Sequence, residues 1–460
     1  MAISPGHELE LLIEKPASGG RMIARQEGEV LLVAGAIPGE RVLARVTRAE
    51  KRVAFASTVR VLERSPDRRD VEGDPACGGC LYAFVEYPRQ LQLKSEIIRD
   101  AFARIGHIQV DGPIAVQGSP ERAYRMRARF HVRAGKVGFY REGTHELCDA
   151  RESGQLLDGS VDAVESAVAS LTAQGLVVSS VELSENLPGD QRAVHVALGH
   201  RGNTGETQAV LSHRRNTGET QAALGHRRNT GETQLTRRML GALETAVGAG
   251  GLTGCTARGP EGAFYSVGDP IVSDPLSMLA EGRALDGALR RHPEAFFQAN
   301  RFLIGRLVGD VLDRVPEGTV LDLYAGVGLF SVALGAAGRG RIIAVEDDPV
   351  SSRDLQRNAA PFGESLRVVR SSVEAFLARG GQRAPQTLIV DPPRTGLSKA
   401  AADAIAHSGA ERILYVSCDP PTMARDARRL IETGYRVGSL QGFDLFPNTP
   451  HVETLGVFET

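Results

Sequence analysis

Cys418, Asp391 and Glu453 are the residues whose settings suggest chemistry. Tyr415-Val416-Ser417 runs into Cys418-Asp419-Pro420-Pro421, and Leu388-Ile389-Val390 runs into Asp391-Pro392-Pro393-Arg394-Thr395-Gly396. Near the C-terminus, Phe446-Pro447-Asn448-Thr449-Pro450-His451-Val452 leads into Glu453. A cysteine that closes a buried strand is ordinarily a small hydrophobe; followed by Asp-Pro-Pro at a strand end, it is placed as a nucleophile. A thiol can add covalently to an electron-poor carbon, and a neighbouring carboxylate can then remove a proton. A fourth stretch, Val320-Leu321-Asp322-Leu323-Tyr324-Ala325-Gly326-Val327-Gly328-Leu329-Phe330, reads as strand, small-residue turn and helix. Gly326 and Gly328 would let backbone N–H groups approach a ligand closely. Ile342-Ile343-Ala344-Val345 then ends in Glu346, a carboxylate positioned for a ribose diol. The third glycine of the dinucleotide fingerprint is missing, so an adenosine without phosphate, as in S-adenosylmethionine, fits better than a dinucleotide. The bland alternative is a purely structural tight turn.

These residues need a scaffold, and from about residue 275 the pattern alternates helix and strand. Further strands are expected at Leu366–Val369, Thr387–Val390, Arg412–Val416, near Tyr435–Gly438 and at Glu453–Phe458. That predicts an α/β domain, a doubly wound Rossmann-like sheet over 275–460 with ligands at the C-terminal strand ends. Residues 1–65 hold five short β-type runs broken by Gly19-Gly20 and Pro38-Gly39, which predicts a small OB-like barrel. The segment 66–274 reads as a central α+β region. Within it, Leu93, Ile97, Ala101 and Ile105 form a helical stripe with Gly106 at the expected C-cap. Residues 124–133 alternate strictly. Tyr124, Met126, Ala128, Phe130 and Val132 share one face, while Arg125, Arg127, Arg129, His131 and Arg133 share the other. Such a cationic face suits phosphates. Residues 200–238 hold three copies of a unit beginning at His200, His213 and His226, each containing Arg-x-Asn-Thr-Gly-Glu-Thr-Gln. This composition cannot bury a core, so a disordered or weakly ordered insertion is expected.

Composition sets bounds. The 460 residues exceed one ordinary core, and 24% charged residues with a net charge of −2 describe a globular chain. No run approaches the ~20 apolar residues of a membrane helix, and no signal-peptide pattern opens the chain, so a cytoplasmic protein is expected. The five cysteines are too few for a disulfide framework.

A thiol, a carboxylate base and an adenosylmethionine site together suit methylation at carbon 5 of a pyrimidine. That carbon is too weak a nucleophile until a thiolate adds at carbon 6. Amino-group methylation, the alternative that Asp-Pro-Pro also allows, needs no cysteine. Phe296-Phe297-Gln298-Ala299-Asn300, Asp322-Leu323-Tyr324-Ala325-Gly326-Val327-Gly328, the Asp391 and Cys418 stretches and Phe446–Glu453 together resemble the signature set of the RNA 5-methyluridine (uracil-5-) methyltransferases. Ala36-Ile37-Pro38-Gly39-Glu40-Arg41-Val42 resembles the RNA-binding TRAM domain. The resemblance implies a class I fold, Cys418 as nucleophile and Glu453 as proton-abstracting base. It implies Gln298, Tyr324, Gly326, Gly328, Glu346 and Asp391 around S-adenosyl-L-methionine and a flipped uracil. It further implies a monomer acting on RNA, with 23S rRNA favoured over tRNA because the barrel and a Cys-Gly-Gly-Cys segment are present. A class apart from these is an RNA-binding assembly protein with a retired site. Tyr324, Asp419 and Asn448 stand where the family more often has Phe, Asn and His. Ribosomal members hold an iron–sulfur cluster on Cys-x5-Cys-Gly-Gly-Cys plus a distant cysteine. Here Cys77 and Cys80 match two ligands and Cys148 is a possible further one, but Val71 and Ser153 occupy the other positions. Three thiolates fall short of the four a cubane normally takes, so a degenerate, cluster-free site is expected.

Overall fold

The computed structural model describes residues 3–199, 230–259, 262–380 and 384–460. Most of the repeats at 200–238 therefore lie outside the described residues. Their last portion, from Thr230, begins a helix that runs to Ala249. Along it Met239, Ala242, Leu243 and Ala246 are buried. The expectation of an unstructured insertion is thus corrected at its C-terminal end. An apolar 3–4 spacing that starts at Met239 lets the tail of the third repeat continue as the first turns of a core helix.

The N-terminal sheet has six strands, Glu8–Leu12, Lys15–Pro16, Met22–Gln26, Glu29–Ala34, Arg41–Ala49 and Val53–Glu63. It curls on itself, with the Glu14 N–H bonded to the Ile23 carbonyl at 2.8 Å, around Leu11, Leu31, Val33, Val42 and Ala56. A seven-stranded sheet follows, ordered Leu147–Asp149, Lys136–Tyr140, Arg127–Arg133, Val178–Glu185, Arg192–Leu198, Gly254–Arg258 and Phe264–Gly268. Helices Asp158–Ala173 and Thr230–Ala249 pack on the apolar face of this sheet.

The third sheet carries the residues of interest. Its strands are β1 (Gly318–Leu323), β2 (Gly340–Glu346), β3 (Leu366–Arg370), β4 (Thr387–Val390), β5 (Arg412–Ser417), β6 (Arg436–Phe443) and β7 (Glu453–Glu459). The order is β3-β2-β1-β4-β5-β7-β6, with the first five parallel and β7 antiparallel to both neighbours. Ile304, Phe330 and Leu355 belong to the core on one face; Met423, Ile405 and Phe376 belong to the core on the other. The doubly wound expectation is met, and β6 extends well beyond the predicted Tyr435–Gly438. Val116–Gln117, from the central region, adds a last parallel strand to β6.

A helix from Tyr87 to Ala101 joins the barrel to this sheet. Leu93 packs in the barrel core, whereas Ile98 and Phe102 pack in the core of the third sheet. The predicted stripe fails at its end. A π-turn over Phe102–Gly106 shifts the phase and leaves Ile105 42% exposed, while His107, at φ 55°, takes the C-cap expected at Gly106. Gly106 serves close approach instead, since a Cβ there would lie 3.0 Å from the Ala424 carbonyl in the helix that follows Cys418.

Candidate active site

The sheet brings together most of the residues singled out by sequence. Cys418 follows β5 directly and precedes helix Pro420–Glu432. Asp419 caps that helix, its carboxylate accepting the Thr422 N–H at 2.8 Å, so the replacement of Asn keeps a capping oxygen. Glu453 opens β7. Ser417 and Thr454 are the last directly paired residues of the ladder, so Cys418, just after the one, and Glu453, just before the other, emerge at the same end of the sheet. The Glu453 charge is felt at the Cys418 thiol. Cys418 is half-buried and Glu453 fully buried.

The Asp391 loop is fixed from the same helix. Asp426 accepts the Tyr415 hydroxyl and the Leu397 N–H, both at 2.9 Å. Arg425 donates to the Thr395 and Leu397 carbonyls. Gly396, at φ 72°, has no room for a side chain, because a Cβ would meet the Arg425 guanidinium at 2.6 Å. These residues of Met-Ala-Arg-Asp hold the loop, and the sequence reading assigned them no role.

On the cofactor side, the turn after β1 places Tyr324 at φ 63°, Gly326 at φ 57° and Gly328 at φ 98°. Glu346, at the end of β2, accepts the Gly326 N–H at 2.7 Å and the Asp347 and Asp348 N–H groups at 2.9 and 2.7 Å. The acid expected to face a diol therefore also fastens the glycine turn. Gln298, buried in the Phe296–Asn300 segment, lies beside Asp391 and favours its charged form. Asn300 is buried and ties that segment down: its carboxamide accepts the Phe302 and Leu303 N–H groups and donates to Ser119 Oγ at 2.9 Å.

Electrostatically this edge is acidic. Burial, reinforced by Asp322, pushes Asp391 up to about 7, and burial with a contribution from Glu346 pushes Asp322 up to about 7. Glu453 is raised well above the usual carboxylate range by burial and by Asp391. Burial and the Glu453 charge push the Cys418 thiol up to about 12, opposed by Arg394. The helix N-terminus behind Cys418 also favours its thiolate. Arg394 is exposed and has no ion-pair partner among the described residues. Asp322 and Arg394 are functional candidates that sequence reasoning passed over. The available signal was their place, one inside Asp-x-x-x-Gly-x-Gly and the other directly after Asp-Pro-Pro.

Asn448 does not face the site as a free side chain. At φ 62°, it accepts from Arg69 and from Gln90 at 2.9 Å each through its carboxamide oxygen, and its carbonyl accepts the Tyr82 N–H at 2.8 Å. The cationic strand face is also less free than its sequence suggests. Arg125 donates to Gln155 at 2.7 Å, Arg127 donates to the Ala295 carbonyl at 3.1 Å, and Glu182 on the adjacent strand pairs with Arg127 and Arg129.

The cysteines do not fit an iron–sulfur cluster. Cys77 and Cys148 are joined in a disulfide with Cα atoms 5.7 Å apart, leaving Cys80 the single free thiol of the three. Val71 packs against the barrel core, and the Ser153 hydroxyl is engaged with the Ala150 carbonyl at 2.6 Å. Among the described residues no group of three or more candidate side chains is arranged to hold a metal, and no helix is long and apolar enough to cross a membrane.

Comparison with known proteins places this geometry. Residues 284–460 match the tRNA (Uracil-5-)-methyltransferase family, and residues 4–59 match the TRAM domain. An RNA methyltransferase of Thermosynechococcus vestitus is 30% identical over 99% of this chain and 98% of its own. A 23S rRNA (uracil(1939)-C(5))-methyltransferase of Pseudomonas entomophila is 30% identical over 99% of this chain and 95% of its own. The Pyrococcus abyssi tRNA (uracil-54, C5)-methyltransferase, solved with S-adenosyl-L-homocysteine, superposes with a TM-score of 0.70 at 21% identity, covering 98% of this chain and 100% of its own. With an acidic Gly-x-Gly edge, a thiol and a carboxylate at the same end of the sheet, and relatives matched from end to end, the chain belongs to the RNA uracil-5 methyltransferase family.

Proposed function

We propose that the protein methylates carbon 5 of a uridine in RNA, namely in 23S rRNA, with Cys418 as nucleophile and Glu453 as base. The observation that supports this reading is the end of the β5–β7 ladder at Ser417 and Thr454, beside which Cys418 and Glu453 stand in sequence. Gln298, Tyr324, Gly326, Gly328, Glu346 and Asp391 would hold S-adenosyl-L-methionine. A cationic sulfonium suits an edge lined by Asp322, Glu346 and Asp391. That cofactor supplies an electrophilic methyl group. For its part, the chain holds a thiol that, once deprotonated, adds to carbon 6 and makes carbon 5 nucleophilic. Once carbon 5 has taken up the methyl group, Glu453 takes the proton from that carbon, the ring double bond re-forms, and the carbon–sulfur bond breaks to release the Cys418 thiolate. The target uracil must leave its stack to reach Cys418. Arg394, exposed at the mouth, is available to the flanking phosphate.

The relative of Pseudomonas entomophila supports ribosomal RNA. The barrel does not decide between substrates, because the fold shared with the tRNA enzyme of Pyrococcus abyssi spans it as well. The test is to incubate the protein with labelled adenosylmethionine and separately with rRNA and tRNA lacking 5-methyluridine. Label is expected in 5-methyluridine from 23S rRNA, absent with Cys418→Ala. The same product from tRNA alone would overturn the substrate, and a methylated purine surviving Cys418→Ala would overturn the mechanism.

A further inference from the structure

Away from Cys418, a cavity of about 330 Å³ opens between the edge of the seven-stranded sheet and helix Pro349–Ala359. Arg258, Phe264, His292, Glu294, Arg353 and Arg357 line it. Its size is at the lower end for small-molecule sites, enough for one nucleotide. Phe264 is 49% exposed on the edge strand, its ring nearly parallel to that of His195 at 6.4 Å. The Arg258 guanidinium lies 5.7 Å from its ring centroid and is held there by Glu294 at 3.2 Å. The ring of His292 is 6.2 Å from that of Phe264, and burial keeps this imidazole neutral, its pKa pushed down to about 4. On the helix, Arg353 and Arg357 sit one turn apart on the same side. Arg357 has a single long contact to Asp354 at 3.7 Å, and Arg353 has no ion-pair partner among the described residues. One wall thus offers an aromatic ring for stacking, the other Arg353 and Arg357 with the Asp354 carboxylate between them, and the floor neutral and anionic hydrogen-bonding groups. In sequence the lining runs close to the candidate site. Glu294 is two residues from Phe296, an exposed ring under Arg127 at 5.8 Å, and Pro349 is three residues from Glu346.

We propose that this cavity is a second nucleotide-binding subsite, which takes an unpaired nucleotide of the substrate RNA with its base on Phe264 and its phosphate on Arg353 and Arg357. The proposal rests on RNA being the substrate. Stacking on an aromatic side chain and one or two phosphate contacts are the means by which single strands are held. None of the six residues belongs to the proposed methyl-transfer machinery, so the subsite would set RNA affinity and leave the chemical step untouched.

The test uses the full chain and a fluorescein-labelled single-stranded RNA oligonucleotide, with Phe264→Ala, Phe264→Trp and Arg353→Ala beside wild type. Phe264→Ala should weaken binding about tenfold or more, and Phe264→Trp should restore it. Arg353→Ala should reduce the slope of log Kd against log salt by about 0.7. In methylation assays both alanine variants should raise KM for RNA at unchanged kcat. Phe264→Ala binding within twofold of wild type, with an unchanged melting curve, would overturn the proposal. So would displacement of the oligonucleotide by micromolar free adenosine monophosphate, which would assign the cavity to a free nucleotide. The binding arm is independent of methyl transfer. A wild type that binds with these signatures yet methylates no RNA would sink the proposed reaction and leave the subsite standing.

Discussion

Replacing Glu453 by Gln separates the two duties proposed for the β5–β7 pair. The substitution is nearly isosteric and removes the charge that, after burial itself, does most to raise the Cys418 thiol. For two charges about 5 Å apart and an effective dielectric near 20, a full unit charge contributes ~3 kcal/mol, or about two pKa units. Cys418 is half-buried, so solvent screens part of that charge. A fall of about one unit is therefore the reasonable expectation. With a thiol that titrates far above neutrality, a lower pKa means more thiolate at every working pH. Alkylation of Cys418 by iodoacetamide at pH 8 should accelerate about threefold, the roughly tenfold gain in thiolate less the loss in its nucleophilicity. Turnover should move the opposite way, falling about 10²–10⁴-fold, because carbon 5 keeps its proton. The thiol cannot leave without that step, so a protein–RNA adduct should accumulate in the presence of adenosylmethionine and survive denaturing electrophoresis. Normal turnover by Glu453→Gln, or slower alkylation without any adduct, would refute the pairing of these residues.

Other outcomes follow from the same structure. Cys418→Ser should abolish methylation while leaving adenosylmethionine binding, measured by calorimetry, within about threefold. Asp322 titrates near 7 in the folded protein against 3.8 as a free side chain. The stability it contributes is therefore full below about pH 4 and lost as pH rises through 7. Asp322→Asn should accordingly raise the Tm of the cofactor-free protein at pH 8 and much less at pH 5. Peptide mapping under non-reducing conditions should recover Cys77 linked to Cys148, with no stoichiometric iron. Cys148→Ser should destabilise by about 4 kcal/mol on the chain-entropy estimate for a link spanning 71 residues, and iron at four per chain would refute that account. Asn448→Ala should cost about 1 kcal/mol in denaturant unfolding, since it removes an acceptor shared by Arg69 and Gln90, which keep Glu121 and the Tyr82 and Val85 carbonyls as partners.

The strand-by-strand layout of 318–460 was legible because each strand is a short apolar run ended by an unusual residue. What escaped was decided by contacts distant in sequence. Ile105 carried the right spacing for burial, yet a π-turn, set by packing of Phe102 and Gly106 on the helix after Cys418, turned it outward. Arg125 and Arg127 looked free on a one-sided strand because Gln155, Glu182 and the Ala295 carbonyl, which take them up, come from elsewhere in the chain. Glu346 was found through its place at a strand end. Its grip on the Gly326 N–H was not, since that bond exists only once β1 and β2 lie side by side.

The clamp at Asn448 has a consequence for how such a chain can change. Lys94 and Asp444 are paired with no exposure at all, and Gln90 both donates to the Asn448 carboxamide and accepts its N–H. The helix that roots the barrel is therefore also the buttress of the segment leading to Glu453. A barrel attached in this way is not an interchangeable cassette. Exchanging it for another RNA-binding module at a boundary near residue 65 would preserve the seam, whereas a cut after Tyr87 would remove half of it. Recombination that respects the reactive carboxylate must carry the Tyr87–Gly106 strut along with it.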